Sequence, residues 1–349
     1  MAHGLDLLKT WLPPITTADK LIIVDFLTGV ETGFGTPMLR KYIQLLRPYT
    51  KLLGISGGVN RARESDCLAS GIVFFYGCMC YIMHFTDWGN HIYDIFLYNL
   101  LYILIDHYID DITIDAFTKT TSIAAMWGVL DNADYQIPLE DEVLHVIART
   151  YRELVQRCPL VQKPLTDLFR AEIRGMYVQH NPSLSRQEYH DMACVKGGLT
   201  MVVLNAIVGD TNSDIYDASY HIGTIMQLID DSVDVLSDKA NNIHTIATHD
   251  LAVQSNLDTL WSDIAVRIHN IDKRFNLFKF LYSVFNVYVP DRLREAYSQK
   301  LRSLTNEVNM FDFNHGCDGS TLLTNAVLNE MLALEIIDDI THEGISSSP

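Results

Sequence analysis

An all-α protein is what this sequence predicts, and three observations carry the prediction. Apolar residues recur at helical spacing: Ile222, Ile225, Met226, Ile229 and Val233 fall at i, i+3, i+4, i+7 and i+11, which is one face of a helix. Strand-like alternation bounded by turn residues is rare along the 349 residues, and no internal repeat is visible. Proline is sparse, ten residues, and no low-complexity linker divides the chain. The expectation is a single domain over residues 1–342, with about ten or more helices, followed by a frayed tail over 343–349.

Taken in chain order, the opening MAHGLDLLKTWLPPITTADK has no basic stretch followed by an uninterrupted apolar run, so it does not read as a signal peptide. Cys67 to Phe85 is uncharged for 19 residues, about the minimum for a membrane span. No Lys/Arg cluster flanks it to set an orientation. A buried helix is the better reading, and no membrane span is expected. Residues 141–158, DEVLHVIARTYRELVQRC, carry apolar residues on one helical face and charges on the other. Breaks between helices are expected at Pro13-Pro14, 54–60, 88–90, 181–183, 209–214 and 314–319.

Composition narrows the function. The formal net charge is −17, whereas a nucleic-acid backbone binder is normally basic. Six cysteines, at 67, 78, 80, 158, 194 and 317, form no CxxC pair and no disulfide-like framework. They read as reduced thiols in a cytoplasmic protein.

Two acidic clusters stand out. Residues 227–238, QLIDDSVDVLSD, hold four aspartates among apolar neighbours. A helix turns about 100° per residue, so Asp230, Asp234 and Asp238 form one ridge and Asp231 sits to one side. In LLYILIDHYIDDITID, Asp106 and Asp110 repeat the i,i+4 spacing, and Asp111 and Asp115 repeat it on a neighbouring face. Like charges so spaced repel by a few tenths of a kcal/mol. A solvated helix face usually mixes signs. Two acid-only clusters point to a shared hard cation, and Mg²⁺ suits all-oxygen sites that also take phosphate oxygens. No HExxH, CxxC or Glu-xx-His pair favours zinc or di-iron, and no GxxxxGK[ST] loop favours an ordinary nucleotide triphosphatase.

At this point the sequence resembles the trans-prenyl diphosphate synthases, and most closely the geranylgeranyl diphosphate synthases, of the class I isoprenoid synthase superfamily. Five pieces run in the family's order. LRPYTKLLGISGGVNRAR resembles the isopentenyl-diphosphate site, ILIDHYID the first aspartate-rich motif DDxxD, and AAMWGVLDNADY the segment that follows. MYVQHNPSLSRQEYHDMACVKGGLT resembles a helix-loop-helix ending in KTGGLF, and GTIMQLIDDSVD the second motif, GxxFQxxDDxxD. The resemblance implies a large antiparallel helix bundle around a deep apolar pocket, as a homodimer. It also implies three Mg²⁺ ions (or Mn²⁺ in their place) held by the two clusters on the diphosphate of a prenyl substrate. The metal ligands would be Asp106, Asp110, Asp111, Asp230, Asp234 and Asp238, with Asp110, Asp111 and Asp115 as an alternative register for the first motif. Arg61 and Lys196 would donate to the diphosphate, and Gln227 would hydrogen-bond an aspartate or a water ligand. Leu101 and Tyr102, five and four residues before the first aspartate, would line the substrate pocket and set its depth.

The departures from the family bear on the reaction. Gly58 replaces a lysine after Gly57, the Arg-Arg-Gly after the first motif is gone and leaves only Lys119, and His107 stands where the second Asp of DDxxD would be. The metal half of the site is kept while the basic half is thinned. A transferase must hold two diphosphates, and each needs charge-assisted donors. The pattern therefore suits a terpene synthase that ionises one prenyl diphosphate and cyclises or deprotonates the cation. Asp230, Asp234 and Asp238 also resemble the (N,D)DxxSxxxE motif of terpene cyclases. The alternatives are a prenyltransferase that uses isopentenyl diphosphate, a squalene-synthase-like condensation with DHYIDD as its first motif, and a non-catalytic partner subunit. Gly197-Gly198, inside a helical pattern, marks either a kink or a close helix contact.

Overall fold

The computed structural model describes residues 90–109, 116–132, 134–137, 141–209 and 213–251, together with Leu46, Ser70, Gly71, Phe74, Phe75, Cys78 and Tyr81. Of this part 85% is helical and none is in a strand, so the all-α expectation holds for it. Arg61, Asp110, Asp111 and Asp115 lie outside the described residues, as do the expected breaks at 13–14, 54–60 and 314–319.

The helices are α1 (Ile92–Ile109), α2 (Ala116–Asp131), α3 (Glu142–Arg157), α4 (Gln162–Val178), α5 (Arg186–Ile207), α6 (Ser213–Val233), α7 (Val235–Ala240) and α8 (Ile246–Leu251). One 3-10 turn, Pro159–Val161, joins α3 to α4. Their ends follow local chemistry. Asp141 caps α3 by accepting the Leu144 N–H at 3.1 Å. Ser185 and Glu188 form a reciprocal capping box at the start of α5, a device that contributes about 1 kcal/mol. The expected break at 181–183 falls in the α4–α5 connection; of the one at 209–214, Gly209 lies in the α5–α6 connection, Ser213 and Asp214 already belong to α6, and 210–212 lie outside the described residues. Short connections between extensively packed neighbours make α4–α5 and α5–α6 antiparallel hairpins.

Helix α1 is the inner element. Fifteen of its 18 residues are buried, which leaves Tyr102, Asp106 and His107 as its one accessible strip. Among the described residues it is the helix long and apolar enough to cross a membrane, with a mean hydropathy of 1.2. Here 83% of it is buried in protein, which accounts for its composition. The sequence reading placed that length at Cys67–Phe85 instead; of that stretch, the described Phe75, Cys78 and Tyr81 are helical and buried. Tyr81 donates to Asn205 Oδ1 at 2.6 Å, and Asn205 donates to Ser219 Oγ at 2.6 Å. That chain of bonds ties the segment to the α5–α6 hairpin.

The α5–α6 seam is backbone against backbone. A Cβ on Gly197 would stand 2.3 Å from the Gly223 carbonyl oxygen, and one on Gly223 would stand 2.0 Å from that of Gly197. The Tyr220 ring covers Gly198, 2.4 Å from where its Cβ would be. Close packing, not a kink, therefore explains the glycine pair in a helix that runs unbroken from Arg186 to Ile207. Gly197→Ala is expected to destabilise by about 1–3 kcal/mol through overpacking. Gly175→Ala is the control, because its Cβ would meet only Met192 Sδ at 3.9 Å. That change should be neutral or gain up to about 1 kcal/mol of helix propensity. Urea unfolding midpoints of the two variants measure the contrast.

Candidate functional site

Four helices bring charged side chains to one small cavity. Asp106 comes from α1, Glu172 from α4, Lys196 from α5, and Gln227 and Asp231 from α6. Each arrives for a local reason. Asp106 sits one turn after Tyr102 on the only accessible strip of α1. Glu172 interrupts the buried face of α4 between Ala171 and Ile173. Lys196 directly precedes the glycine seam, and Gln227 lies one turn beyond Gly223 on the facing helix. A Cβ on Gly197 would come within 2.6 Å of Gln227 Cβ, so the seam sets the distance between the Lys196 and Gln227 sides of the cavity.

Lys196 Nζ is 2.9 Å from Glu172 Oε2 and 3.7 Å from Asp106 Oδ1. Gln227 Nε2 donates to Asp230 Oδ2 at 3.1 Å and to Asp231 Oδ1 at 2.9 Å, so the glutamine does bond the second acidic cluster. Asp230 and Asp231 at the end of α6 and Asp234 just beyond it differ in exposure. Asp231 is 7% exposed, Asp230 is half-buried and Asp234 is exposed. Burial pushes the Asp231 carboxyl up to about 6, against the opposing pull of the Gln227 hydrogen bond and Lys196. Asp230 is raised well above the carboxylate range by burial, then by Asp234 and Asp231, with Asp106 adding to the push. Asp234 is raised by burial and then by Asp106, although its exposure lets water screen most of that effect. The influence of Asp106 on both Asp230 and Asp234 places the two clusters within electrostatic reach of each other.

Of the other expected residues, Tyr102 is half-buried beside the site, its ring stacked on Phe74 at 4.2 Å. Leu101 is fully buried in the core. Asp238 lies on α7, beyond a bend at Asp234 (φ −89°, ψ 0°), so the expected Asp230–Asp234–Asp238 ridge is split between two helices. Glu172 and Asp231 were not expected. Their signals were a lone acid on an apolar helix face and a Gln227/Asp231 pair at i,i+4.

The cavity is small, about 20 Å³ counted by where a water centre can stand, room for about one water. A void of that size holds neither a diphosphate nor a hydrocarbon chain. A second void, wholly apolar and about 10 Å³, is lined by Ile105, Phe169 and Ile173 among others. Ile105 and Ile173 are the chain neighbours of Asp106 and Glu172, so this void lies on other faces of the same two helices. Among the described residues no three acids, histidines or cysteines form a ready-made metal cage. Asp106 and Glu172 lie within 4 Å of the Lys196 ammonium, and Asp230 and Asp231 are within its electrostatic reach. Carboxylate oxygens are the donor type that suits a hard cation, and Mg²⁺ commonly binds one or two carboxylates and completes its shell with water and phosphate oxygens. Comparison with protein-family models, with curated proteins and with solved structures finds no match for this chain.

Folded Asp231 keeps its proton up to pH about 6, whereas in an unfolded chain it is lost near pH 4. The folded state thus binds the extra proton between those values. The stability contributed is fully present below about pH 4 and is lost as pH rises through about 6. Asp231→Asn, which cannot ionise, is expected to exceed the parent in stability at pH 7.5 by about 1–3 kcal/mol. The gap should close at pH 4. Urea unfolding without metal at the two pH values measures it.

Proposed function

We propose that this chain is a Mg²⁺-dependent class I terpene synthase that ionises one allylic prenyl diphosphate. The observation that carries the reading is the meeting of the acid-bearing strips of α1 and α6 over one cavity, with Lys196 between them. An excess of buried and half-buried carboxylate is costly unless a cation shares it. Asp106, Asp230 and Asp234 would hold the metal, together with Asp110 or Asp111 from beyond the end of α1. Bound there, Mg²⁺ would supply Lewis-acid stabilisation of the diphosphate leaving group. Lys196 would donate a charge-assisted hydrogen bond to a diphosphate oxygen. Gln227 holds the Asp230 and Asp231 carboxylates in place. The allylic carbon–oxygen bond breaks with its electron pair passing to diphosphate, and the carbocation closes a ring or loses a proton. The buried aliphatic side chains around α1 exclude the water that would quench it.

A synthase is favoured over a transferase by the thinned basic half of the sequence: Gly58 stands where the family has a lysine, and only Lys119 follows the first motif, whereas two diphosphates each need donors of their own.

The test is an assay of the purified full chain with Mg²⁺ and the ten-, fifteen- and twenty-carbon allylic diphosphates, with and without isopentenyl diphosphate. Hydrocarbon or terpene alcohol formed without isopentenyl diphosphate is the expected outcome. Elongation only in its presence would make the chain a transferase, and no turnover of any kind would end the enzymatic reading. Asp106→Ala and Asp230→Ala are each expected to lower turnover at least about a hundredfold while circular dichroism shows the helices intact.

Tyr102 should bound the hydrocarbon end of the site. Tyr102→Ala is expected to shift preference toward the longer substrate by about tenfold, a size typical of changes in an apolar pocket. The readout is a ratio between substrates, so any loss of folded protein cancels. An unchanged ratio would remove Tyr102 from the pocket.

A further inference from the structure

Helix α1 carries four tyrosines, and three of them commit the hydroxyl to the fold. Tyr93 donates to Glu153 Oε1 at 2.8 Å, Tyr98 donates to the Thr200 carbonyl at 2.9 Å, and Tyr108 bonds Ser122 Oγ and Asp141 Oδ2, each at 2.7 Å. The hydroxyl of the fourth, Tyr102, has no hydrogen-bond partner among the described residues, although a tyrosine packed on a core usually finds one. Its ring is held all the same. It stacks on Phe74 with centroids 4.2 Å apart and planes 7° from parallel, and Tyr98 stands edge-on to it at 6.4 Å. Tyr102 also lies one turn before Asp106 on the accessible strip of α1, so both side chains share one helix face.

We infer that the Tyr102 hydroxyl is a diphosphate-binding donor, which hydrogen-bonds a phosphate oxygen once Mg²⁺ holds the diphosphate against the neighbouring acids. The inference rests on the functional reading above and gives Tyr102 two tasks: the ring bounds the hydrocarbon, and the hydroxyl meets the leaving group. The surroundings keep the hydroxyl a donor. Burial and then Glu172 hold its proton well above the ordinary phenol range; Lys196 pulls the other way, and Asp106 and Asp230 add to the push. Those four groups come from α4, α5, α1 and α6, the helices that build the site, so the hydroxyl lies within electrostatic reach of each of them. An uncharged donor has a use there that a cation would not. A Lys or Arg at this position would stand i,i+4 from Asp106 and pair with its carboxylate, whose oxygens the proposed metal needs. A phenol donates an O–H with no charge of its own, and a hydrogen bond to an ionised acceptor is roughly twice as strong as one between neutral groups. A donor already fixed by stacking also loses little freedom on binding.

Calorimetric titration of the full chain with inorganic pyrophosphate at saturating Mg²⁺ tests this without turnover. Tyr102→Phe keeps the ring and its stack and lacks only the hydroxyl. It is expected to weaken pyrophosphate binding at least about tenfold, the size of one lost hydrogen bond to a charged group. Absorption gives a second readout that a packing role would not move. Saturating pyrophosphate should shift the tyrosine absorption band of the parent, and the shift should be absent from Tyr102→Phe at a concentration that saturates the variant too. Equal pyrophosphate affinity in Tyr102→Phe and the parent would overturn the inference, as would weaker binding with the absorption shift intact. If circular dichroism shows Tyr102→Phe unfolded, Tyr102→Met, which fills the space with a flexible side chain, carries the same comparison. No Mg²⁺-dependent pyrophosphate binding by the parent overturns both the functional reading and this inference. Parent binding that is insensitive to the Tyr102 hydroxyl overturns the inference alone.

Discussion

The contact between Gly197 and Gly223 governs the site more than any charged residue does. Neither position has room for a single methyl group. The helix backbones therefore approach more closely than any pair of larger residues would allow, and interiors packed to crystal density do not relax easily. Lys196 and Gln227 are the immediate neighbours of that seam. Their separation is fixed by backbone contact rather than by flexible side chains, which is the kind of support a precise polar site needs. An outward shift of the hairpin would lengthen the Lys196 and Gln227 contacts together.

Helix α1 supplies the opposing constraint. Its burial on nearly every face anchors it, and the same burial makes each polar group on it expensive. Asp106 is tolerable there because it lies on the one accessible strip and faces Lys196. The α6 side has less compensation. Asp230 and Asp231 share one glutamine amide and the distant influence of one lysine. Burial then holds protons on acids that in water would be ionised well below neutrality. On the proposed function, a divalent cation would take the place of those protons. Local rules broken without internal compensation are expected where a ligand completes the structure.

Much of this was legible in the sequence, and the remainder was hidden for physical reasons. The apolar spacing of Ile222, Ile225, Ile229 and Val233 foretold the buried face of α6, because periodicity reports burial directly. The amphipathic pattern of 141–158 and the turn residues near 181 and 209 marked helix and breaks for the same reason. The glycine pair allowed either a kink or close packing, and the residue that decides between them, Gly223, lies on another helix and could not be read from local pattern. Glu172 escaped notice because one acid in an apolar stretch has no spacing to interpret; only its meeting with Lys196 gives it a role. The bend at Asp234 was invisible too. An i, i+4, i+8 ridge assumes a straight helix, and the chain turns at the middle acid.

That bend bears on how the acids divide their work. Asp231 is the deepest, Asp230 lies half-buried above it, and Asp234 stands in solvent at the helix end. Ease of ionisation is not set by depth alone: burial pushes Asp231 up to about 6, while Asp230 is raised well above its ordinary value by burial and by its two acidic neighbours. On the proposed function, a cation would meet the exposed Asp234 first and the more buried acids after it. Asp106, partly exposed on the facing helix, lies on the same side of that gradient. Under that proposal a hydrated ion would enter at the exposed end and shed water against the inner acids, which suits the reluctance of Mg²⁺ to dehydrate in one step. Three of the four aspartates on this stretch thus stand at different depths rather than lined along a single face.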